Sequence, residues 1–403
     1  MECAPLKLAV ICTEKKPVPS VSGGAVETLV DLLIDNNERR KQVDLDVYSM
    51  EHSDAARLSR RLSNTHFYYI NTRSPLNHLY HFFNRLLNKC RIHQCRSVYL
   101  TRVVKELKKH RYDWIIVENR PFFVKTIKKR CHDRTRVALH LHNDVLCREN
   151  RYASRVIRDC DKILSVSKYI HHRVTEAAFH EIDRKKSVVL YNRIDISKFR
   201  SPSHRRNNKL REKFGISLEK NIVLYYGRIK EQKGVWELVR AFERALEKNP
   251  DLYLFLFGEI AEPSYKKRLD TALRHLPDPS FSIAEYVDHD RVPEYLDSAD
   301  IIVLPSLWGE AFGLTIAESA AMGKPVVSLN IGAIPELLGD GCGLLVDNDE
   351  LLIERLSEAI LRLAADRELR EALAANARQK AVSQFSSDGY LTDLIAKLES
   401  SQD

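Results

Sequence analysis

The chain has 403 residues, 44% hydrophobic and 30% charged, with a formal net charge of +9. That length exceeds one ordinary core and predicts two domains of roughly 200 residues each. It holds no apolar run of the roughly 18 residues needed to span a bilayer. Its eight cysteines form no C-x-x-C pair, which argues against a zinc ribbon or a disulfide framework and for reduced, buried thiols.

In chain order, the opening MECAPLKLAVICTEKK has an apolar stretch of strand length and no small-residue cleavage signature, so a cytoplasmic protein is expected. Short β-branched runs then alternate with helical patterns: residues 7–13, 44–49, 113–118, 136–141, 162–167 and 187–191. Such alternation predicts parallel strands joined by helical crossovers. After the first run, Gly23 and Gly24 precede a helix beginning at Ala25. The pair could let the backbone approach an anion, or simply make a tight turn.

Residues 85–136 carry sixteen Lys or Arg against four acids, a local charge of +12 that leaves −3 for the rest. This block suits an anionic membrane surface or is a solvated face; no nucleic-acid module or interleaved stacking aromatics accompany it. Leu79, Phe82, Phe83, Leu86 and Leu87 supply a candidate apolar face for the membrane, or are core. The polar stretch 199–215 reads as a linker. Strand runs resume at 221–227, 252–258, 300–306 and 325–330, and residues 351–385 read as one long helix, followed by a short one at 389–401.

Ligands of open α/β sheets bind beyond the carboxyl ends of the strands. At one such end Gly227 and Arg228 are followed by Lys233-Gly234 and an amphipathic helix. Two cations there suit a departing diphosphate, though exposed basic residues are common. A second such end is GEAFGLTIAE, residues 309–318. In one continuous helix its two glutamates would point about 80° apart. Glu310 is therefore expected in a loop, with Gly313 allowing close approach and a helix from Leu314 to Met322-Gly323 that carries Glu318 about a turn in. Amides of residues 312–315, including those of Phe312 and Leu314, could then face an anion. Alternatively Glu310 caps the helix and Glu318 pairs with a surface lysine.

GEAFGLTIAE resembles the Glu-x7-Glu motif of retaining GT-B glycosyltransferases of family 4 (glycosyl transferases group 1). Similar landmarks follow the family's order: CTEKKPVPSVSGGAVE, VENRP, LHLHND, NRID and YYGRIKEQKG. The first two are most similar to bacterial surface-polysaccharide and spore-coat-type members. The resemblance implies an α/β fold of two doubly wound, Rossmann-like domains facing a cleft: residues 1–198 on the acceptor side, a linker 199–215, a nucleotide-sugar domain 216–385, and a terminal segment 386–403 returning to the first domain.

It further implies that Arg228 and Lys233 bind the donor diphosphate beside Gly227, that Glu310 takes the transferred sugar's hydroxyls and that Glu318 takes the ribose. His142 would lie near the scissile bond, with His140 as local competitor, and Gly24 would line the acceptor or phosphate side. Val287, in the EYV segment, would neighbour the base. Asn192-Arg193-Ile194-Asp195 and Glu285 depart from a usual Asn-Gly-Val-Asp and a usual glycine.

The implied activity is retaining hexosyl transfer from a nucleotide sugar, with UDP-sugar favoured, to a saccharide or lipid-linked acceptor, without essential metal or nucleic acid and peripheral to the inner membrane face. Asp-x-Asp matches at 44–46, 288–290 and 347–349 read as strand, loop or turn acids. A nucleotide-sugar epimerase, a phosphorylase and a non-enzymatic coat component are the rival readings.

Overall fold

A computed structural model describes residues 5–75, 80, 97–200, 209–260 and 262–400. The apolar face expected at 79–87 and the first part of the basic block lie outside the described residues. The chain divides into two compact units, Met1–Arg193 with Ser387–Asp403, and Ile194–Ser386.

The first unit is built on β1 (Leu6–Ile11), β2 (Val43–Met50), β3 (Thr65–Ile70), β4 (Trp114–Glu118), β5 (Arg136–Leu141), β6 (Lys162–Ser165) and β7 (Ser187–Val189). These pair in parallel in the order β3-β2-β1-β4-β5-β6-β7. Strands covered on both faces need near-continuous apolar runs, and all five residues of β4 are accordingly buried. The direction of winding changes between β1 and β4, which opens a crevice at their carboxyl ends. Helix Tyr390–Glu399 completes this core by burying Tyr390, Leu391, Leu394 and Leu398 with Val10, Leu33 and Ile34.

The second unit contains β8 (Asn221–Tyr226), β9 (Leu252–Phe257), β10 (Phe281–Ala284), β11 (Ile301–Leu304), β12 (Val326–Leu329) and β13 (Leu344–Val346), ordered β10-β9-β8-β11-β12-β13. Its switch of winding lies between β8 and β11. Helix Val235–Lys248 buries Val235, Leu238, Val239, Phe242 and Ala245, a spacing of three and four that lays one apolar stripe against the sheet.

Three differences from expectation have physical causes. Strands β3, β10 and β13 were not anticipated; each lies at a sheet edge, where β3 and β10 carry polar, partly exposed residues and β13 is only three residues long. The segment read as a linker contains helix Lys209–Phe214. There Arg211 is buried, bonding the Asp300 carboxylate at 2.9 Å and the Ser217 carbonyl at 2.7 Å, so a charged stretch is packed into the second unit. The long terminal helix is two, Leu352–Ala365 and Arg367–Phe385, because Asp366 leaves helical geometry and its carboxylate accepts the Leu369 amide at 2.8 Å.

Asp366→Ala removes that N-terminal cap and is expected to cost about 1 kcal/mol, whereas Asp366→Asn keeps an acceptor and costs less. Urea denaturation of the full chain checks both.

Candidate active site

In the second unit, β8 runs into Gly227, whose φ of 123° favours glycine, and then into Arg228. Arg228 is exposed, and among the described residues no carboxylate pairs with its guanidinium. Lys230 follows, then the turn Glu231–Lys233 and Gly234 at φ 66°. A Cβ on Gly234 would overlap the Pro305 carbonyl. Glycine therefore lets this loop lie directly on the one that follows β11, and the Leu307 amide bonds the Gln232 carbonyl at 3.0 Å to join the two.

The contact brings Lys233 to Glu310, with which it forms an ion pair. Ser306 donates its hydroxyl to the same Glu310 oxygen at 2.5 Å, and Lys233 lies 3.4 Å from that hydroxyl. A third loop fixes Glu310 from behind: the Ala333 amide bonds its carbonyl at 2.9 Å, and a Cβ on Gly332 would overlap its backbone. The result is three cations, Arg228, Lys230 and Lys233, beside two carboxylates, Glu310 and, near Lys230, Glu262. Burial first, then the charges of Arg228 and Lys233, lower the pKa of Lys230. An uncompensated positive cluster at a switch point is a receptor for an anion.

Helix Leu314–Ala321 starts at Gly313, φ 102°. Glu318 is buried within it. His289 Nε2 lies 2.9 Å from one Glu318 oxygen, and the Tyr226 hydroxyl lies 3.1 Å from the other and 2.6 Å from the Thr315 carbonyl. Lys198 Nζ reaches His289 Nδ1 at 3.0 Å. Lysine only donates, so Nδ1 accepts and the proton on Nε2 goes to Glu318. Val287 is half-buried in the loop that carries His289. Phe312 is 2% exposed and packs edge-on against Phe385, 5.3 Å between centroids. Its side chain is therefore core, and what it offers a donor is main chain. Sequence reasoning missed Lys230, Ser306, His289 and Tyr226; the only hint was their position at strand ends.

In the first unit, Gly24 has φ 126° and precedes helix Ala25–Arg40. A Cβ there would overlap the carboxylate of Glu27, which is buried and accepts the Thr13 hydroxyl at 2.6 Å. Across the β1–β4 crevice Arg120 pairs with Glu14 at 2.6 Å. His140 and His142 share a partner that was not foreseen: Glu118 accepts from His140 Nδ1 at 3.2 Å and from His142 Nε2 at 2.8 Å. Parallel pairing places Glu118 beside His140, and strand alternation puts His142 on the same face. Burial alone would raise the Glu118 pKa, but the charge of His140 and bonds from both imidazoles hold it at about 2. Burial, then His140, lowers that of His142. Among the described residues His140 Nε2 is buried without a hydrogen-bond partner, while the Asn192 side chain stands against His142.

Among the described residues, Glu118-His140-His142 and Asp44-Asp46-His66 are donor sets that could hold a cation, each with one atom per residue within 4.8 Å of the others. In the first set those atoms already bond one another; in the second, Asp46 accepts the Tyr112 hydroxyl at 2.5 Å and Asp44 pairs with Lys7 at 3.2 Å.

A carboxyl group whose folded pKa is depressed from the ordinary 4.5 to about 2 contributes stability that is complete above 4.5 and lost as pH falls toward 2. His142, depressed from 6.5, acts in the same direction, because the fold favours its neutral form. Glu118→Gln is expected to cost about 3 kcal/mol near pH 7 and to narrow its gap to the unsubstituted chain below pH 4.5. Urea midpoints between pH 7 and pH 3 test this.

Residues 206–380 match the family model described as glycosyl transferases group 1. Over 98% of its length, and 99% of the relative's, the chain is 25% identical to spore coat protein SA of Bacillus subtilis strain 168. It is 27% identical to the capsular polysaccharide biosynthesis glycosyltransferase CapM of Staphylococcus aureus, over 56% of this chain and 58% of that one. Among solved structures, Anabaena Alr3699/HepE in complex with UDP and glucose superposes with a TM-score of 0.75 at 20% identity, covering 98% of this chain and 99% of that one. No helix among the described residues is long and apolar enough to cross a membrane. Two doubly wound sheets, each with its own switch point, give the chain the GT-B fold of these neighbours, and its second unit carries the match to the group 1 glycosyltransferases.

Proposed function

We propose that the chain transfers a hexosyl group, with retention, from a nucleoside-diphosphate sugar to a saccharide or lipid-linked acceptor in surface-polysaccharide synthesis, and that the donor is a UDP-sugar. The observation that carries this reading is the cation cluster Arg228, Lys230 and Lys233 gathered on Glu310 by three strand-end loops. Its positive excess suits a diphosphate, and its fixed carboxylate suits sugar hydroxyls. The UDP and glucose bound by the Anabaena neighbour support the donor class.

In this reading Arg228 and Lys233 neutralise the diphosphate as the bond from the anomeric carbon to its oxygen breaks. Glu310 accepts hydroxyls of the oxocarbenium-like sugar. The acceptor oxygen attacks from the leaving-group face and bonds the anomeric carbon, and its proton passes to a phosphate oxygen. Glu318 takes the ribose, and the amides at the start of helix Leu314–Ala321 take phosphate. From the first unit, His142 serves the transferred sugar and Gly24 the acceptor or phosphate side. The cations supply the charge a metal would, so transfer is expected to survive a chelator. A lipid-linked acceptor would bring the enzyme to the cytoplasmic face of an anionic membrane.

A thermal-shift panel of nucleoside diphosphates and their sugars tests the donor: UDP and a UDP-sugar should stabilise most. Glu310→Gln is expected to lower kcat by about 10²–10³ while nucleotide affinity stays within about threefold, and Arg228→Ala to lower both. Lys230→Gln should weaken nucleotide binding several-fold. If no nucleotide shifts the melting temperature and neither Glu310 nor Arg228 matters to turnover, the reading fails.

A further inference from the structure

In the first unit, helices Pro121–Arg130 and Ala153–Asp159 pack side by side and leave a groove between them. Phe122, Lys125 and Lys129 fall at helical intervals of three and four and line one wall; Tyr152, Arg155 and Asp159 line the other at the same intervals. The rings of Phe122 and Tyr152 meet at 4.8 Å between centroids, tilted by 60°. They stand at the end nearer the carboxyl edge of β4, where Glu118 and His142 sit. Below them come Lys125 and Arg155, then Lys129 and Arg130, so the cations are stepped along the groove by about 6 Å per turn.

Four cations face one acid, and among the described residues no ion pair or hydrogen bond engages the side-chain charges of Lys125, Lys129, Arg130 or Arg155. By contrast the neighbouring Lys128, on another face of the same helix, pairs with Asp161 at 2.5 Å. The groove encloses about 180 Å³, less than the ~300–1,000 Å³ of pockets that swallow a whole ligand. It is open along its length, which suits a few units of a chain.

We propose that this groove binds an acidic saccharide chain, as the acceptor or the growing product. The paired rings present apolar faces on which a sugar ring can lie, and the stepped cations meet carboxylate or phosphate substituents at successive residues. Among the described residues the exposed large apolar side chains of this unit, Leu58, Phe179 and Ile182, all lie outside the groove, so it offers no exposed apolar group to settle into a bilayer. The assignment rests on the glycosyltransferase reading and names the charge class of its acceptor.

The test uses the full chain and three probes: an oligogalacturonate, a neutral dextran oligosaccharide of equal length, and phosphatidylglycerol vesicles. The oligogalacturonate should bind, more weakly as salt rises, and the dextran should not. Lys125→Glu/Lys129→Glu should weaken oligogalacturonate binding about tenfold or more, and Tyr152→Ala several-fold, with the UDP-induced thermal shift unchanged in both. Equal affinity in the unsubstituted chain and the double variant, no binding of the acidic oligosaccharide, or binding confined to vesicles overturns the proposal. Because the UDP shift is read on the same samples, loss of donor binding, which would sink the underlying function, is distinguished from failure of the groove.

Discussion

The second unit depends on one constraint: Glu310 must be held on a loop without helical bonds of its own to fix it. Three backbone contacts do this, and each needs the absence of a side chain or a main-chain bond. Gly234 lets the loop after β8 touch the loop after β11, Gly332 lets the loop after β12 touch Glu310 itself, and the Ala333 amide locks its carbonyl. The ion pair with Lys233 is thus set by main-chain packing. Lys233 and Glu310 are each about one-quarter exposed, so solvent alone would make their attraction modest. Preorganisation, more than pair strength, is what this geometry supplies.

The first unit solves a comparable problem with buried charge. Two imidazoles on one carboxylate would be costly if Glu118 were neutral and both rings competed for a proton. An ionised Glu118 accepts from both, and those bonds outweigh the burial that would otherwise raise its pKa. If His142 serves the transferred sugar as proposed, Glu118 acts through it as a positioning residue.

Both sheets were largely legible because strands buried on two faces need uninterrupted apolar runs, and ten such runs stand in the sequence. What escaped was marginal in a physical sense: β3, β10 and β13 have one neighbour each, and a lone Asp366 breaks a periodic helix with a side-chain bond that periodicity does not register. The site followed the same division. Arg228, Lys233, Glu310 and Glu318 stand at strand ends in a recognisable pattern. Lys230, Ser306 and His289 matter only through distances across loops, which spacing along one chain does not encode. Phe312 lies inside the motif, yet its ring is spent on the core against Phe385.

Glu318 shows how the two kinds of information must be combined. A carboxylate offers about four lone-pair sites, and here each oxygen already accepts one neighbour, His289 on one side and the Tyr226 hydroxyl on the other. If Glu318 takes the donor's ribose as proposed, the hydroxyl would use a remaining lone pair or replace one of the two. Tyr226 is 4% exposed and shares its one hydroxyl proton between Glu318 and the nearer Thr315 carbonyl, so moving the ring would strand a buried hydroxyl. His289 has a side chain 44% exposed on a loop, with Lys198 at its far nitrogen. On that proposal exchange at Glu318 would fall to His289, whose exposed side chain can turn its bond to water at little cost, while the buried Tyr226 stays in place.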